Sequence, residues 1–332
     1  LRSWAQTWHL QDPNKTRSSR RPEKMAAEGT TPERDSPTFG SITLTSPGKV
    51  LYPGIGLTKR DLAQYDARIA AAMLPYVARR PISLVRCPDG LDGPRFFQRH
   101  LTKGMSGAIK QVRIPGRDGD RPYLYIEDDD GLYALTQIGT LEIHDWGVSN
   151  GQLESPDRLV FDLDPGEGLA FDVLRGAARQ VRDILADLGL TSFLKATGGK
   201  GLHVVAPLAP KAGWPEVKAF ARGTADALVA DAPALYTANP LKRTRAGKIF
   251  VDYLRNARGS SAICNYSPRA RPGAPVATPL RWTELAKLKS GAPYSVKTLP
   301  ARLSRLKTDP WEGFFGTRQS ITPRAKKVLG IV

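Results

Sequence analysis

With 332 residues and a 41% hydrophobic fraction, the chain can bury a sizeable core, as one large domain or two smaller ones. Its 49 Lys and Arg against 32 Asp and Glu leave a net charge of +17, an excess that points to a polyanion, nucleic acid first. Cys87 and Cys264 stand far apart without ligand spacing, and no apolar run nears the roughly 18 residues of a membrane helix, which excludes a disulfide framework, a structural zinc site and a membrane span.

The plainer account of the charge is a surface kept basic for solubility, or basic tails. Arg and Lys spread through the folded portion argue against tails alone. Nothing near the N-terminus has the apolar core of a secretory signal, so a soluble intracellular protein with reduced thiols is expected.

Residues 1 to 37 mix Arg, Ser, Pro, Glu and Thr without periodicity and read as a linker or tail. Trp4 and Trp8 sit awkwardly there, as a short docking motif or as incidental residues. Residues 41–45 alternate like a strand. Thr58 followed by Asp61 resembles a capping arrangement, and Leu62, Tyr65, Ile69 and Met73 repeat at helical spacing until Pro75. Strands are predicted over 82–85, 95–98 and 123–126, with a helix from 131 towards 140. An apolar run then ends in Asp162-Leu163-Asp164-Pro165-Gly166, followed by an amphipathic helix over about 171–188. Strands 192–196 and 202–207 flank Thr197-Gly-Gly-Lys-Gly201; a helix over 215–229 and a strand over 249–253 come next. The stretch 267–279 should be irregular, and short helices near 282–288 and 299–306 close the chain. Strands that follow one another directly, and the missing dinucleotide glycine fingerprint, predict a mixed α/β class with antiparallel pairing prominent.

The chemistry concentrates at three acids. On a strand, residues i and i+2 share a face, so Asp162 and Asp164 project side by side. Their repulsion, sharpened by burial, would be relieved by a divalent cation, and an all-oxygen set suits Mg²⁺ or Mn²⁺. Exposed acids at a strand end, or a helix N-cap, is the alternative. Asp252 ends a second apolar run, and three such acids can hold two ions about 4 Å apart for phosphoryl or nucleotidyl displacement; alone, it could equally be a structural acid paired with Arg255. The loop 197–201 is a candidate phosphate cradle, with Lys200 and His203 as charge or donors. Gly201 after Lys200 rejects a Walker A loop, and most glycine-rich turns are merely turns. His144 lies between an apolar run and a turn, whereas His9 and His100 read as structural. Phe96-Phe97 among Arg95, Arg99 and Lys103 suits stacking on an unpaired base; one Phe should face the core and the other form the platform, with a core-only role for the pair as the alternative.

Taken together these motifs resemble the primase-like polymerase domain of bacterial ATP-dependent DNA ligase D, in the archaeo-eukaryotic primase superfamily. The resemblance runs from about Gly40 to the C-terminus. It is carried by Leu51-Tyr-Pro-Gly54 with Leu57-Thr-Lys-Arg-Asp-Leu62, Phe96-Phe97, Leu141-Glu-Ile-His144 with Trp146-Gly147, Phe161-Asp-Leu-Asp-Pro-Gly166, Gly198-Gly-Lys-Gly-Leu-His203, Val251-Asp-Tyr-Leu-Arg-Asn256 and the stretch Tyr266 to Pro275. It implies a primase-like fold, with antiparallel and mixed sheets flanked by helices around a central cleft, over residues 38–332. Within it, 38–150 would bind the DNA end and template, and 151–332 the metals and nucleotide.

Residue by residue, the resemblance implies Asp162, Asp164 and Asp252 as ligands of two catalytic ions, Mn²⁺ or Mg²⁺. Thr197, Lys200 and His203 would surround the triphosphate, with His144, Arg255 and Arg269 also in the nucleotide site. Lys49 and Lys59 would bind the 5′-phosphate of a recessed strand, and Phe97, with Phe96 beside it, would stack on the template. The family commonly has Ser where Thr197 stands, and Pro where Asp145 stands; an acid there bears on His144 or on the local turn.

The leading expectation is a template-dependent nucleotidyltransferase that fills gaps and overhangs at double-strand breaks in bacterial non-homologous end joining. The resemblance adds a ribonucleotide preference, a nucleoid-associated cytoplasmic location, and as partners a Ku-type end-binding protein and an ATP-dependent ligase domain. No Lys-x-Asp-Gly ligase motif occurs in the chain. A metal-dependent phosphoesterase or nuclease on the same acids is the alternative, although Gly166 occupies the place where a haloacid-dehalogenase-like phosphatase wants Thr or Val. A noncatalytic DNA-end scaffold is a third reading, and the intact acids and cradle speak against it.

Overall fold

Residues 36–116 and 121–331 are described by the structure, a computed structural model. Trp4, Trp8, His9 and the expected tail up to residue 35 lie outside the described residues.

Two short antiparallel pairs open the fold: β1 (Thr38–Phe39) with β2 (Ile42–Thr43), and β3 (Val50–Tyr52) with β4 (Leu57–Thr58). Thr58 then caps α1 (Lys59–Val77). Its hydroxyl accepts the Asp61 N–H at 3.2 Å while the Asp61 carboxylate accepts the Thr58 N–H at 2.8 Å, a reciprocal box that satisfies two orphan donors. The helix passes the expected stop at Pro75 by two residues. A proline in the last turn removes one hydrogen bond only, and Ala78 N–H still reaches Leu74 O at 2.9 Å.

The first sheet contains β5 (Ile82–Arg86), β7 (Lys110–Val112), β8 (Tyr123–Tyr125), β9 (Thr140–Asp145) and, from far downstream, β15 (Ala262–Ile263), in the order β15-β9-β5-β8-β7; β6 (Phe96–Gln98) adds to β5. The helix expected over 131–140 is α2 (Asp129–Gln137), capped by the Asp128 carboxylate on Gly131 N–H at 3.0 Å. It ends early because Gly139, at φ +77°, turns the chain into β9.

The second sheet holds β13 (Tyr236–Thr237), β14 (Ile249–Asp252), β10 (Arg158–Pro165), β12 (Leu202–Pro207), β11 (Phe193–Ala196) and β16 (Thr278–Leu280), neighbours in that order and antiparallel except for β13 with β14. Helices α3 (Phe171–Asp187) and α4 (Trp214–Asp231) pack on this sheet. Period-two alternation decides what each face carries. Leu159, Phe161 and Leu163 of β10, with Leu202 and Val204 of β12, share a core with Leu174, Val181 and Leu185 of α3 and Phe220 of α4; each such side chain contributes about 1.5–3 kcal/mol. The intervening residues take the opposite face. Val160 and Val205 join the other core, with Leu84 and Ile143 of the first sheet and Leu62 and Ile69 of α1. That opposite face also receives Asp162, Asp164, His203, Lys195 and Asp252.

The stretch 267–279, expected to be irregular, folds back on itself through a Pro268–Val276 bridge and ends in β16. Short α5 (Leu299–Leu303) stops sooner than expected, and α6 (Pro323–Val328), capped by Thr322, was not anticipated.

Candidate active site

Strand register brings the three acids together. Asp162 of β10 pairs directly with Asp252 of β14 on one side and with His203 of β12 on the other. Asp164, two residues on, shares their face. Arg255, on the turn after β14, closes over the pair: its guanidinium is 3.1 Å from Asp162 Oδ2 and 3.3 Å from Asp252 Oδ2. His203 Nε2 lies 3.3 Å from Asp162 Oδ1.

Burial works against the charge on Asp162, yet His203 and Arg255 hold its carboxyl well below the usual carboxylate range. For Asp164 the balance goes the other way: burial, then the Asp162 charge, push it up to about 6 against the pull of Arg255. Burial also raises Asp252, against the pull of Arg255. His203 is held down to about 4, chiefly by burial. Among the described residues, no group of three His, Cys, Asp or Glu side chains stands arranged around a metal position; here Asp162 and Asp252 turn their Oδ2 atoms to Arg255 instead. The donor set nonetheless fits a hard divalent cation. Three carboxylates share one sheet face, and the burial and neighbouring Asp162 charge that hold Asp164 at about 6 are penalties such a cation relieves.

The loop 197–201 joins β11 to β12, and its surroundings dictate its shape. Thr197 hydroxyl donates to Gly201 O at 2.9 Å and accepts the Gly199 N–H at 3.2 Å, so this side chain builds the loop itself. Gly198, at φ +68°, leaves no room for a Cβ, which would come within 2.8 Å of Arg269 Cγ. Arg269 Nη1 donates to Thr197 O at 2.7 Å. Lys200 is exposed at the loop tip, whereas His203 lies in β12, buried beside Asp162.

His144 and Arg269 converge on a carboxylate that sequence reasoning missed. Glu142 Oε2 is 2.8 Å from His144 Nε2, and Glu142 Oε1 is 3.1 Å from Arg269 Nε and accepts the Ala270 N–H at 2.9 Å. Glu142 is buried, which disfavours its charge, but these partners, His144 foremost, bring it down to about 2. The alternation Glu142-Ile143-His144 was the available signal. Asp145 points away from His144: its Oδ2 pairs with Arg158 at 3.2 Å, and Arg158 also meets Asp157. Lys195 was missed as well. It continues the row Asp252, Asp162, His203 across the sheet, is 4% exposed, and donates to Ile263 O at 2.6 Å, tying the second sheet to β15 of the first. Burial lowers its pKa to about 8.

The remaining candidates lie elsewhere on the first half of the chain. The β3–β4 hairpin sets Lys49 and Lys59 side by side, with Lys59 N–H donating to Lys49 O at 2.8 Å. Lys59 Nζ donates to Thr45 O and Gln137 O at 3.0 and 3.2 Å; burial and then Lys49 lower its pKa. Lys49 pairs with Asp89 at 2.8 Å. The division of Phe96 and Phe97 between core and platform is overturned: they are 50% and 58% exposed. Strand β6 is a three-residue edge, and its single pairing with β5 covers neither face. The Arg99 guanidinium sits 4.9 Å from the Phe97 ring centre. His100 is structural as expected, with Nδ1 3.0 Å from Pro122 O and its ring edge-on to Tyr123.

Residues 58–311 match the family described as LigD, primase-polymerase domain. The multifunctional non-homologous end joining protein LigD of Pseudomonas aeruginosa is 40% identical over 290 residues, 87% of this chain and 34% of that protein. Its Mycobacterium tuberculosis counterpart is 39% identical over 252 residues, 74% of this chain and 33% of that protein. The chain therefore spans about a third of the length of these relatives. Among solved structures, the polymerase domain from Mycobacterium tuberculosis Ligase D in complex with DNA superposes with a TM-score of 0.77 at 35% identity, covering 83% of this chain and 98% of that one.

Proposed function

The chain belongs to the LigD primase-polymerase family, and from that premise we propose that it is a template-dependent nucleotidyltransferase acting at broken DNA ends. The observation that carries this reading is the register of β10 against β14, which puts Asp252 opposite Asp162 with Asp164 on the same face, one loop away from Lys200.

In the proposed reaction the primer 3′-hydroxyl attacks the α-phosphorus of an incoming nucleotide, a new phosphodiester forms, and pyrophosphate leaves. Asp162, Asp164 and Asp252 would hold divalent cation, Mn²⁺ or Mg²⁺, which when bound supplies a lowered hydroxyl pKa and charge neutralisation at the triphosphate. Lys200 at the loop tip would meet the anionic phosphates. Glu142 orients His144 and Arg269 at the flank, and Arg255 neutralises the carboxylates in the absence of the cation and would move toward the nucleotide when the cation takes their oxygens. Lys49 and Lys59 would hold the 5′-phosphate of a gapped or overhanging end, which positions the DNA without reading its sequence. Phe96 and Phe97, exposed on an edge strand beside Arg99, offer ring faces to unpaired template bases.

We further propose gap and overhang filling during bacterial end joining, in the nucleoid, with ribonucleotides preferred. A Ku-type end-binding protein and an ATP-dependent ligase domain would be the partners. Labelled primer-template incubated with Mn²⁺ and either ribo- or deoxyribonucleotides tests the reading. Extension that Asp162→Ala with Asp164→Ala abolishes is the expected outcome. Shortening of the primer would make the protein a nuclease, and undiminished extension by the double variant would remove these acids from the chemistry.

A further inference from the structure

The glycine loop is gripped from three sides, and one of them comes from a segment with no assigned part in the site. A Cβ at Gly201 would lie 2.7 Å from Leu163 O and 3.2 Å from Asp164 Oδ1, so β10 braces the loop from below. A Cβ at Gly198 would meet Arg269 and the backbone of Val276 and Ala277, the second wall. The third is Gly291. Its carbonyl accepts the Gly198 N–H at 2.8 Å. A Cβ there would fall 2.7 Å from Gly201 O, 2.7 Å from Lys200 C and 2.8 Å from Gly199 O. All three obstacles are backbone atoms of the loop, so no side-chain rotation relieves them. Gly291 has no left-handed φ, and its need for glycine is therefore purely a matter of close approach.

We propose that Gly291 is a positioning residue for the nucleotide triphosphate: by lying flush against residues 199–201 it fixes the loop that presents Lys200. This rests on the nucleotidyltransferase reading above. Any side chain at 291 must push the segment away, which breaks the Gly198–Gly291 hydrogen bond and frees the loop on one side. Preorganised phosphate contacts lose much of their value when displaced by an ångström.

The test uses the whole chain. Gly291→Ala should raise the KM for the incoming nucleotide roughly 10- to 100-fold, while kcat at saturating nucleotide and the Kd for primer-template stay near those of the unaltered protein. Gly176→Ala in α3, where nothing lies within 4 Å of the added carbon, is the control and should change none of these. In the unaltered protein, ATP with Mn²⁺ should slow amide exchange in peptides spanning 198–201 and 288–293 together, a measurement that stands even if the Gly291 variant fails to fold. An unchanged nucleotide KM in folded Gly291→Ala, or protection confined to 198–201, overturns the proposal while leaving the proposed function in place. Unaltered protein that neither extends a primer nor binds ATP removes the function reading and this inference with it.

Discussion

Arg255 lies within 3.3 Å of both Asp162 and Asp252, so the protein carries its own cation where the two carboxylates face each other. A divalent ion seeking those oxygens competes with that guanidinium. Arg255→Gln should therefore lower the Mn²⁺ concentration needed for half-maximal binding several-fold and, at the same time, raise the nucleotide KM. Manganese titration and steady-state kinetics on one preparation check both. An unaltered manganese requirement would mean that Arg255 does not hold the acids.

At this scale the sequence was a good guide wherever a role depends on strand parity. The i, i+2 pairing of Asp162 with Asp164 could be read directly, and the facing of Asp252 followed once the strands were paired in register. Glu142 alternates locally with His144, but the partners that fix its role, Arg269 and Ala270, lie more than 60 residues away, as does the Ile263 carbonyl that receives Lys195, so neither role shows in a local pattern alone. Phe96 and Phe97 failed for a related reason. Adjacent strand residues do face opposite ways, but whether either face is covered depends on what packs outside the strand, and among the described residues both rings stay exposed.

Between elements, helix α1 carries Asp66 against α2, where the Thr136 hydroxyl donates to it. Burial raises this carboxyl to about 7, with the Thr136 hydrogen bond opposing. A carboxyl with a folded pKa above its unfolded value is penalised when ionised. The penalty begins as pH rises past about 4 and is complete above about 7. The contribution of Asp66 to stability therefore improves as pH falls from 8 to 5. Asp66→Asn, which keeps an acceptor for Thr136, should raise the melting temperature at pH 8 by more than at pH 5, where the penalty is only partly established. Melting curves at the two pH values decide this, and an equal change at both would contradict it.

Element existence and type were well read where capping and periodicity were strong, as at Thr58 with Asp61 and along α3. Boundaries slipped where a single residue overrides the pattern, as Gly139 does in ending α2 and opening β9. Strand β7, the C-terminal α6 and the fold-back of 267–279 were missed because tertiary pairing and short caps, rather than apolar periodicity, define them.

Across the molecule, the first 35 residues hold seven of the 49 basic side chains and five of the 32 acidic ones, so nearly all the positive excess belongs to residues 36–332. That distribution favours a phosphate-binding surface over a charged tail. Replacing Lys49 and Lys59 by Ala should weaken binding to gapped DNA with a 5′-phosphate more than binding to the same DNA without it. It should also flatten the dependence of log Kd on log salt by about two charges' worth. Equal losses on both DNAs would refute a dedicated phosphate pocket. The partition into two sheets with the acids between them was not open to sequence reasoning, since β15, drawn from residues 262–263, crosses to the first sheet and breaks any clean division at the middle of the chain.

Anomalous diffraction from crystals grown with Mn²⁺ and a non-hydrolysable nucleoside triphosphate tests most directly whether these strands build a nucleotidyl-transfer centre. Manganese within about 2.1 Å of oxygens from Asp162, Asp164 and Asp252, with Arg255 withdrawn from between them, is the predicted result. Manganese bound away from β10 and β14, with Arg255 still bridging Asp162 and Asp252, would contradict it.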